Sequence, residues 1–113
     1  MKFVLALARK NIMEGTGGPF SSAIFNKDSN ALVSCGVNRV MPEKCAVAHA
    51  EMMAIMLGQQ AIGGHDFSAA GNFVLYTSGK MCVMCMGGVI WSGVREVVAS
   101  ASPADVEEIT GFD

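Results

Sequence analysis

Two short motifs that lie far apart in the chain constrain its fold most strongly. The first reads His-x-Glu at His49 and Glu51, and the second reads Cys-x-x-Cys at Cys82 and Cys85. Imidazole nitrogen and thiolate sulfur are ligands of Zn²⁺, and a catalytic zinc usually binds three protein ligands and keeps its fourth position for water. If His49, Cys82 and Cys85 bind one zinc ion, the fold must bring the two motifs together. Glu51 then remains available to move protons.

Both motifs are predicted to stand where helices begin. The sequence predicts a helix from about residue 48 to 62, which two glycines end. Residues 73–77 are short, β-rich and almost wholly apolar, as a strand buried on both faces is. A turn at residues 78–80 leads from this strand into a helix that carries Cys82 and Cys85. Cysteines three apart share one helix face, and the positive end of the helix dipole favours the thiolates that bind zinc.

The first third of the chain predicts a helix followed by a hairpin. Residues 2–14 predict an amphipathic helix. Its apolar side is predicted to consist of Phe3, Leu5, Ala6, Ala8, Ile12 and Met13. Residues 20–27 and 31–37 predict two strands joined by a tight turn.

The remaining segments complete an alternating pattern of helices and strands. They are predicted as a loop at 38–45, a polar connection at 65–71, a strand at 94–100 and a short helix from 102 to 111. The order α-β-β-α-β-α-β-α predicts a mixed sheet layered with helices, which is an α/β fold. In such sheets ligands bind where strands end and helices begin, and both motifs occupy such positions.

Composition indicates one folded domain with an apolar surface. The chain has 113 residues, of which 51% are hydrophobic and 16% are charged. This balance excludes a disordered chain. It also indicates more apolar surface than a monomer needs, so we expect either a partner subunit, which would form a homodimer, or a missing segment.

Charge and cysteine usage restrict partners and location. The net charge is −2 and no cluster of Lys or Arg appears, so we expect no nucleic-acid partner. No stretch is long and apolar enough to span a membrane. The apolar N-terminus is interrupted by Arg9 and Lys10 too early for a secretory signal. Four cysteines without a disulfide-scaffold pattern then favour a reducing cytoplasm.

Each candidate residue has a simpler interpretation when it is considered alone. The Cys-x-x-Cys pair could be a redox pair or half of a structural zinc site. His49 could be a capping histidine, and Glu51 could be an acid that complements the helix dipole. The combination of the motifs on matching elements favours the zinc site. We interpret Cys35 and Cys45 as ordinary buried thiols and His65 as a solvated loop residue.

The motifs resemble those of the cytidine deaminase superfamily and, within it, the bacterial guanine deaminases. His-x-Glu combined with Cys-x-x-Cys is an established signature of zinc deaminases. The segment around Trp91 and the closing Gly-Phe-Asp of residues 111–113 point to the guanine branch. The likeness covers nearly the whole chain. It implies a cytidine deaminase-like three-layer α/β/α sandwich with a mixed sheet, and residues 1–113 as a single zinc-dependent deaminase domain.

The resemblance implies hydrolytic deamination of a free purine base, guanine to xanthine plus ammonia. Zinc lowers the pKa of its bound water toward neutrality. Glu51 takes the proton and returns it to a ring nitrogen and then to the leaving amine. Alternatives are another aminated heterocycle, such as a triazine or cytosine, and tRNA adenosine, which the acidic charge disfavours.

Three further residues are implied to contact the substrate. Asn38 would hydrogen-bond the purine, and Phe20 and Trp91 would form walls of the pocket. Simpler interpretations remain for all three: Phe20 could pack in the core, Trp91 could cap the core at a helix end, and Asn38 could support its own loop.

Two departures from the family pattern raise a non-enzymatic alternative. Lys80 and Met81 stand where the family has Glu-Pro, and the chain stops at Asp113 where the family continues. The family's next acidic residue, fifth strand, helix and C-terminal tail, which commonly crosses between subunits of a dimer, are absent. We therefore expect a truncated chain in which the strand at 94–100 is an exposed edge. The alternative function is a catalytically inactive, zinc-stabilised scaffold.

Overall fold

The structure is a computed structural model that describes residues 1–15, 20–79 and 81–99. The elements in these ranges are helices α1 (Lys2–Met13), α2 (Val40–Glu43), α3 (Ala50–Ile62), α4 (Phe67–Ala70) and α5 (Val83–Ser92), and strands β1 (Ser21–Asn26), β2 (Leu32–Val37), β3 (Phe73–Thr77) and β4 (Glu96–Ala99). The helix predicted from residue 102 lies outside the described residues.

The four strands form one mixed sheet in the order β2-β1-β3-β4. Strand β1 pairs antiparallel with both β2 and β3, whereas β3 and β4 are parallel. The predicted mixed sheet is therefore confirmed, and β4 lies at an edge of its described part. This strand begins at Glu96 rather than at residue 94, and Val94 packs into the core before the strand starts.

Helices cover both faces of the sheet, which gives the predicted three layers. Alternate side chains of a strand point to opposite faces. On one face, the Ser21 hydroxyl donates a hydrogen bond to the carbonyl oxygen of Val4 in α1. On the other face, Ile24 of β1 packs in one core cluster with Ala54 of α3 and Val89 of α5.

The buried face of α1 was predicted correctly at Ala8 but wrongly at three larger side chains. Phe3, Leu5 and Met13 were expected on the apolar side, but they are exposed. The buried positions include Val4, Ala8 and Asn11, which follow the i, i+4, i+7 spacing of one helix face. The side chain of Asn11 donates a hydrogen bond across to the backbone oxygen of residue 38, so a polar residue belongs to the buried side.

Two segments predicted as irregular contain short helices. The predicted loop at 38–45 includes α2, where Pro42 is tolerated because the first turn of a helix leaves its N–H groups unbonded. The predicted polar connection at 65–71 includes α4. There Asp66 caps the helix by accepting a hydrogen bond from the Ser68 N–H at 2.9 Å, and Phe67 is fully buried.

Across residues 1–15, 20–79 and 81–99, no helix has the length and hydropathy needed to cross a bilayer.

Candidate metal centre and active site

The two sequence motifs occupy the first residues of two helices on the same side of the sheet. His49 is the N-cap residue of α3, and Cys82 is the N-cap residue of α5. Both have extended backbone angles, with φ and ψ of −71° and 155° at His49 and −75° and 170° at Cys82. Neither side chain bonds a backbone N–H of its own helix within the described structure. Both side chains are therefore available for a shared ligand.

The three predicted zinc ligands come together. Nδ1 of His49 lies 3.6 Å from Sγ of Cys82 and 3.6 Å from Sγ of Cys85. All three donor atoms lie within 4.8 Å of one another. Zn–S bonds of about 2.3 Å and Zn–N bonds of about 2.0–2.1 Å, arranged as a tetrahedron, separate nitrogen and sulfur ligands by about 3.6 Å. The residues thus fit a zinc ion whose imidazole ligand is Nδ1.

The three metal-ligand residues differ in their exposure to solvent. Cys85 is buried at the base of the cluster, His49 is half-buried, and Cys82 is exposed. A set with one buried and one exposed thiol is enclosed on one side and open on the other. This arrangement suits a catalytic zinc, which keeps an open ligand position, better than a closed structural site.

Glu51 lies beside the ligand set and is nearly buried. It follows His49 by two residues in the first turn of α3, and its relative exposure is 7%. A cavity of about 240 Å³ opens next to it, lined by Phe20, His49, Ala50, Glu51, Thr77, Gly79 and Cys82. The carboxylate and two of the metal ligands therefore share one small cavity.

The environment of Cys85 favours the neutral thiol when no metal is bound. Burial and, secondarily, the negative charge of Glu51 raise the pKa of the Cys85 thiol well above its usual range. Zinc binds the thiolate, so the metal has to displace this proton.

Of the three predicted substrate contacts, Phe20 is among the described residues that line the cavity, whereas Asn38 and Trp91 are not. The place of Phe20 at this cavity is compatible with its predicted role, which stays a prediction. The side-chain oxygen of Asn38 accepts a hydrogen bond from the Val40 N–H at 3.2 Å, so it supports the start of α2. Trp91 is 86% exposed and borders a different surface cavity, so it does not cap the core.

The remaining titratable candidates lie apart from the ligand set. Cys35 and Cys45 are free and half-buried, rather than fully buried as predicted. His65 is exposed, as predicted for a solvated residue.

Sequence reasoning missed Thr77 and Gly79 as cavity residues. Thr77 ends β3 and Gly79 follows in the turn that leads to α5. The signal was present, because ligands in open α/β sheets bind beyond the carboxyl ends of the strands. Thr77 is the last residue of β3, and the carboxyl end of this strand lies at the cavity.

Comparison with known proteins places the chain in a family. Residues 1–101 match the family described as the cytidine and deoxycytidylate deaminase zinc-binding region. The chain belongs to this family, and the predicted deaminase resemblance is confirmed. Zinc is the metal of the family, and the clustered His49, Cys82 and Cys85 provide a matching ligand set.

Similar proteins include several guanine deaminases. The chain is 34% identical over 113 residues to the guanine deaminase of Bacillus subtilis (strain 168), covering 100% of this chain and 69% of that protein. It is 49% identical to the solved guanine deaminase from Nitrosomonas europaea, with a TM-score of 0.90 over 99% of this chain and 62% of that one.

A ligand complex has the same fold. A variant of the protein NE0047 in complex with 8-azaguanine is 49% identical to this chain, with a TM-score of 0.90. The match covers 99% of this chain and 61% of that one, so the chain spans about three fifths of these solved proteins. These likenesses confirm the cytidine deaminase-like α/β fold.

Proposed function

We propose that this chain is a zinc-dependent deaminase domain that hydrolyses a free purine base, guanine to xanthine plus ammonia. The observation that carries the proposal is the convergence of His49, Cys82 and Cys85 beside the nearly buried Glu51. The names of the similar guanine deaminases, and the complex of one similar protein with a guanine analogue, support guanine as the base.

The metal ligands and Glu51 have separate roles in this reaction. Bound zinc supplies a Lewis acid that activates water near neutral pH. His49, Cys82 and Cys85 hold the metal at one wall of the cavity. Glu51 accepts the proton of the attacking water and delivers it to a ring nitrogen. It then takes the second proton from the hydroxyl that has added to the ring and delivers this proton to the amine, which leaves as ammonia while the carbonyl forms. Its burial places the carboxylate in a region of low dielectric constant, where a directed hydrogen bond is stronger than in water.

The cavity favours a base over a larger substrate. Its volume of about 240 Å³ is below the range of about 300–1,000 Å³ that is typical of sites for drug-sized ligands. Phe20 offers an aromatic face on which a flat heterocycle can stack. The roles predicted for Asn38 and Trp91 remain hypotheses, because neither residue lines this cavity.

The test joins zinc analysis to an ammonia-release assay on the purified chain. The substrates are guanine, adenine, cytosine and their nucleosides. About one zinc per chain with turnover of guanine in preference to the others supports the proposal. Zinc without turnover of any of these substrates favours the inactive scaffold. Turnover of another base instead of guanine supports the deamination reaction but assigns it a different substrate. Absence of zinc favours the redox interpretation of Cys82 and Cys85.

We also propose that the chain acts as a homodimer in the cytoplasm, without nucleic-acid or membrane partners. The high apolar fraction and large exposed apolar side chains on α5, including Val83 and Ile90, support a partner subunit. The net charge of −2 gives no electrostatic attraction to nucleic acid. Light scattering coupled to size-exclusion chromatography tests the dimer, because the chain mass of 11.8 kDa doubles if it forms.

A further inference from the structure

A buried hydroxyl beneath the site has no hydrogen-bond partner in the described structure. Ser22 of β1 is 0% exposed, and its Oγ contacts no donor or acceptor among the described residues. A buried hydroxyl without a partner carries the full cost of losing its contact with water. Such a group in a folded protein therefore requires an explanation.

The position of Ser22 in the sheet directs its side chain toward the site. Residues 22 and 24 of β1 point to the same face of the sheet, and Phe20 comes directly before this strand. Phe20 lines the site cavity and Ile24 lies in the core beneath α3 and α5. Ser22 lies between them. Its direct partner in β3 is Thr77, which also lines the cavity, and directly paired residues share a face.

Helix α3 covers this part of the sheet from above. Ser22 pairs with Gly36 of β2, and a Cβ built on Gly36 would lie 2.5 Å from the carbonyl oxygen of Ala50. The first turn of α3 therefore crosses directly over β2 at this point. Glu51 is the next residue of that turn, and it faces the cavity that Thr77 also lines.

The position of Ile55 in α3 indicates the direction in which the Glu51 side chain points. Ile55, one turn after Glu51, lies near α5, because a Cβ on Gly88 would be 3.8 Å from its Cδ1 atom. Residues four apart share a helix face. Glu51 therefore points away from β2 and toward the side of α5, above β1 and β3. Ser22 and Thr77 form the floor below it.

We propose that Ser22 is a positioning residue for Glu51: its hydroxyl and that of Thr77 bind one water molecule that donates a hydrogen bond to the Glu51 carboxylate. This inference rests on the proposed function, in which Glu51 transfers protons. A water with three polar partners satisfies the otherwise unpaired Ser22 hydroxyl, and buried waters typically make about three hydrogen bonds. The same water molecule also restricts the Glu51 carboxylate to one orientation toward the metal ligands.

The kinetic test compares Ser22→Ala and Ser22→Thr with the wild-type protein, each loaded with zinc. We expect Ser22→Ala to lower kcat on guanine by about 10- to 100-fold, as loss of an orienting hydrogen-bond partner does at metal sites. We expect KM and zinc content to stay unchanged, and Ser22→Thr, which keeps the hydroxyl, to recover most of kcat. The melting temperature of Ser22→Ala should stay close to that of the wild-type protein, because the substitution removes no hydrogen bond between protein groups and leaves the water bonded to Thr77 and Glu51.

Ser21→Ala is the matched control. It removes a buried hydroxyl from the adjacent residue of the same strand, but on the opposite face, where that hydroxyl bonds the Val4 carbonyl. We expect it to lower the melting temperature and to leave kcat per bound zinc unchanged. An unchanged kcat in Ser22→Ala, or a fall in kcat matched by a fall in its melting temperature, overturns the inference.

A high-resolution crystal structure of the zinc-loaded wild-type protein tests the same inference without turnover. We expect a water within hydrogen-bond distance of the Ser22 hydroxyl, the Thr77 hydroxyl and the Glu51 carboxylate. A dry Ser22, or one bonded only to a backbone carbonyl, overturns the inference even if guanine is deaminated. If the wild-type protein binds zinc but releases no ammonia, the proposed function fails, and the crystal structure still decides whether Ser22 positions Glu51.

Discussion

His49 and Cys82 are the N-cap residues of two different helices, and the imidazole Nδ1 of one lies 3.6 Å from the Sγ of the other. Each helix start is fixed by the core on which its helix packs. Ala54 and Ile55 of α3 and Val89 of α5 belong to the same cluster of buried residues. The distance between the two donor atoms is therefore set by the packing of these core residues on the two helices.

Removal of a metal ligand should strongly reduce zinc binding while the fold persists. We expect His49→Ala to reduce bound zinc from about one ion per chain to well below half, because two remaining thiols leave the tetrahedral set incomplete. Elemental analysis of the purified variant measures this. His65→Ala is the control, since His65 is exposed and lies outside the ligand cluster. Full zinc occupancy in His49→Ala would show that the ligand set is wrong.

Glu51→Gln separates proton transfer from metal binding. The amide keeps the size of the carboxylate but accepts no proton, so we expect turnover of guanine to fall by about 100- to 10,000-fold. Zinc content should remain that of the wild-type protein. Glu43→Gln serves as the control, because it removes a charge from an exposed ion pair with Arg39 on α2. Unchanged turnover in Glu51→Gln would exclude Glu51 as the general acid and base.

Gly36→Ala should displace α3. A methyl group there would lie 2.5 Å from backbone atoms of both Ala50 and Ala54, which cannot move separately from the helix. We expect a loss of about 1–3 kcal/mol of stability, measured by denaturant unfolding, together with weaker zinc binding.

Gly87→Ala is the matched control for this substitution. A Cβ on Gly87 of α5 meets no described atom within 4 Å. Replacing a helical glycine by alanine there should stabilise the protein by about 0.5–1 kcal/mol. Equal effects of the two substitutions would contradict the close packing of α3 on β2.

The metal-free protein should lose stability at alkaline pH. Burial and the charge of Glu51 raise the pKa of Cys85 in the folded state, whereas the unfolded thiol titrates near its ordinary value of about 8.5. The stabilising contribution is therefore fully present below about pH 8.5 and decreases as the pH rises toward the folded-state value. One such group changes stability by at most about 1.4 kcal/mol per pH unit.

Thermal unfolding of chelator-treated protein at pH 7 and pH 9.5 measures this effect. The Cys85→Ala variant should lack this component of the pH dependence. Zinc binding should release protons at pH 7, since the metal requires the thiolate. A pH profile that is the same in the wild-type protein and in Cys85→Ala would show that Cys85 does not titrate as described.

Strong local signals explain which parts of the fold and site could be predicted from the sequence. Strand β3 was predicted with its observed bounds because its apolar run is followed at once by a Ser-Gly turn. The ligands His49, Cys82 and Cys85 were recognisable because their spacing and residue types are rare in combination. These signals are local in sequence, so they do not depend on knowing the tertiary packing.

Other features depend on tertiary contacts that a pattern does not contain. The buried side of α1 includes Asn11, whose polarity is compensated by a hydrogen bond to residue 38. Phe67 anchors α4 by packing edge-on against Phe73 with ring centroids 5.1 Å apart, in a segment whose small residues indicated a loop. The unpaired hydroxyl of Ser22 is visible only when its neighbours in the adjacent strands are known.

The metal ligands also connect distant parts of the chain, since His49 and Cys82 are 33 residues apart. A bound ion therefore closes a long loop, and it adds its binding free energy to the stability of the folded state. Chains that fold without zinc lack this cross-link and spend more time open to proteases. The cellular amount of this protein should then follow the zinc supply, and it should do so equally for variants that keep the ligands but cannot catalyse.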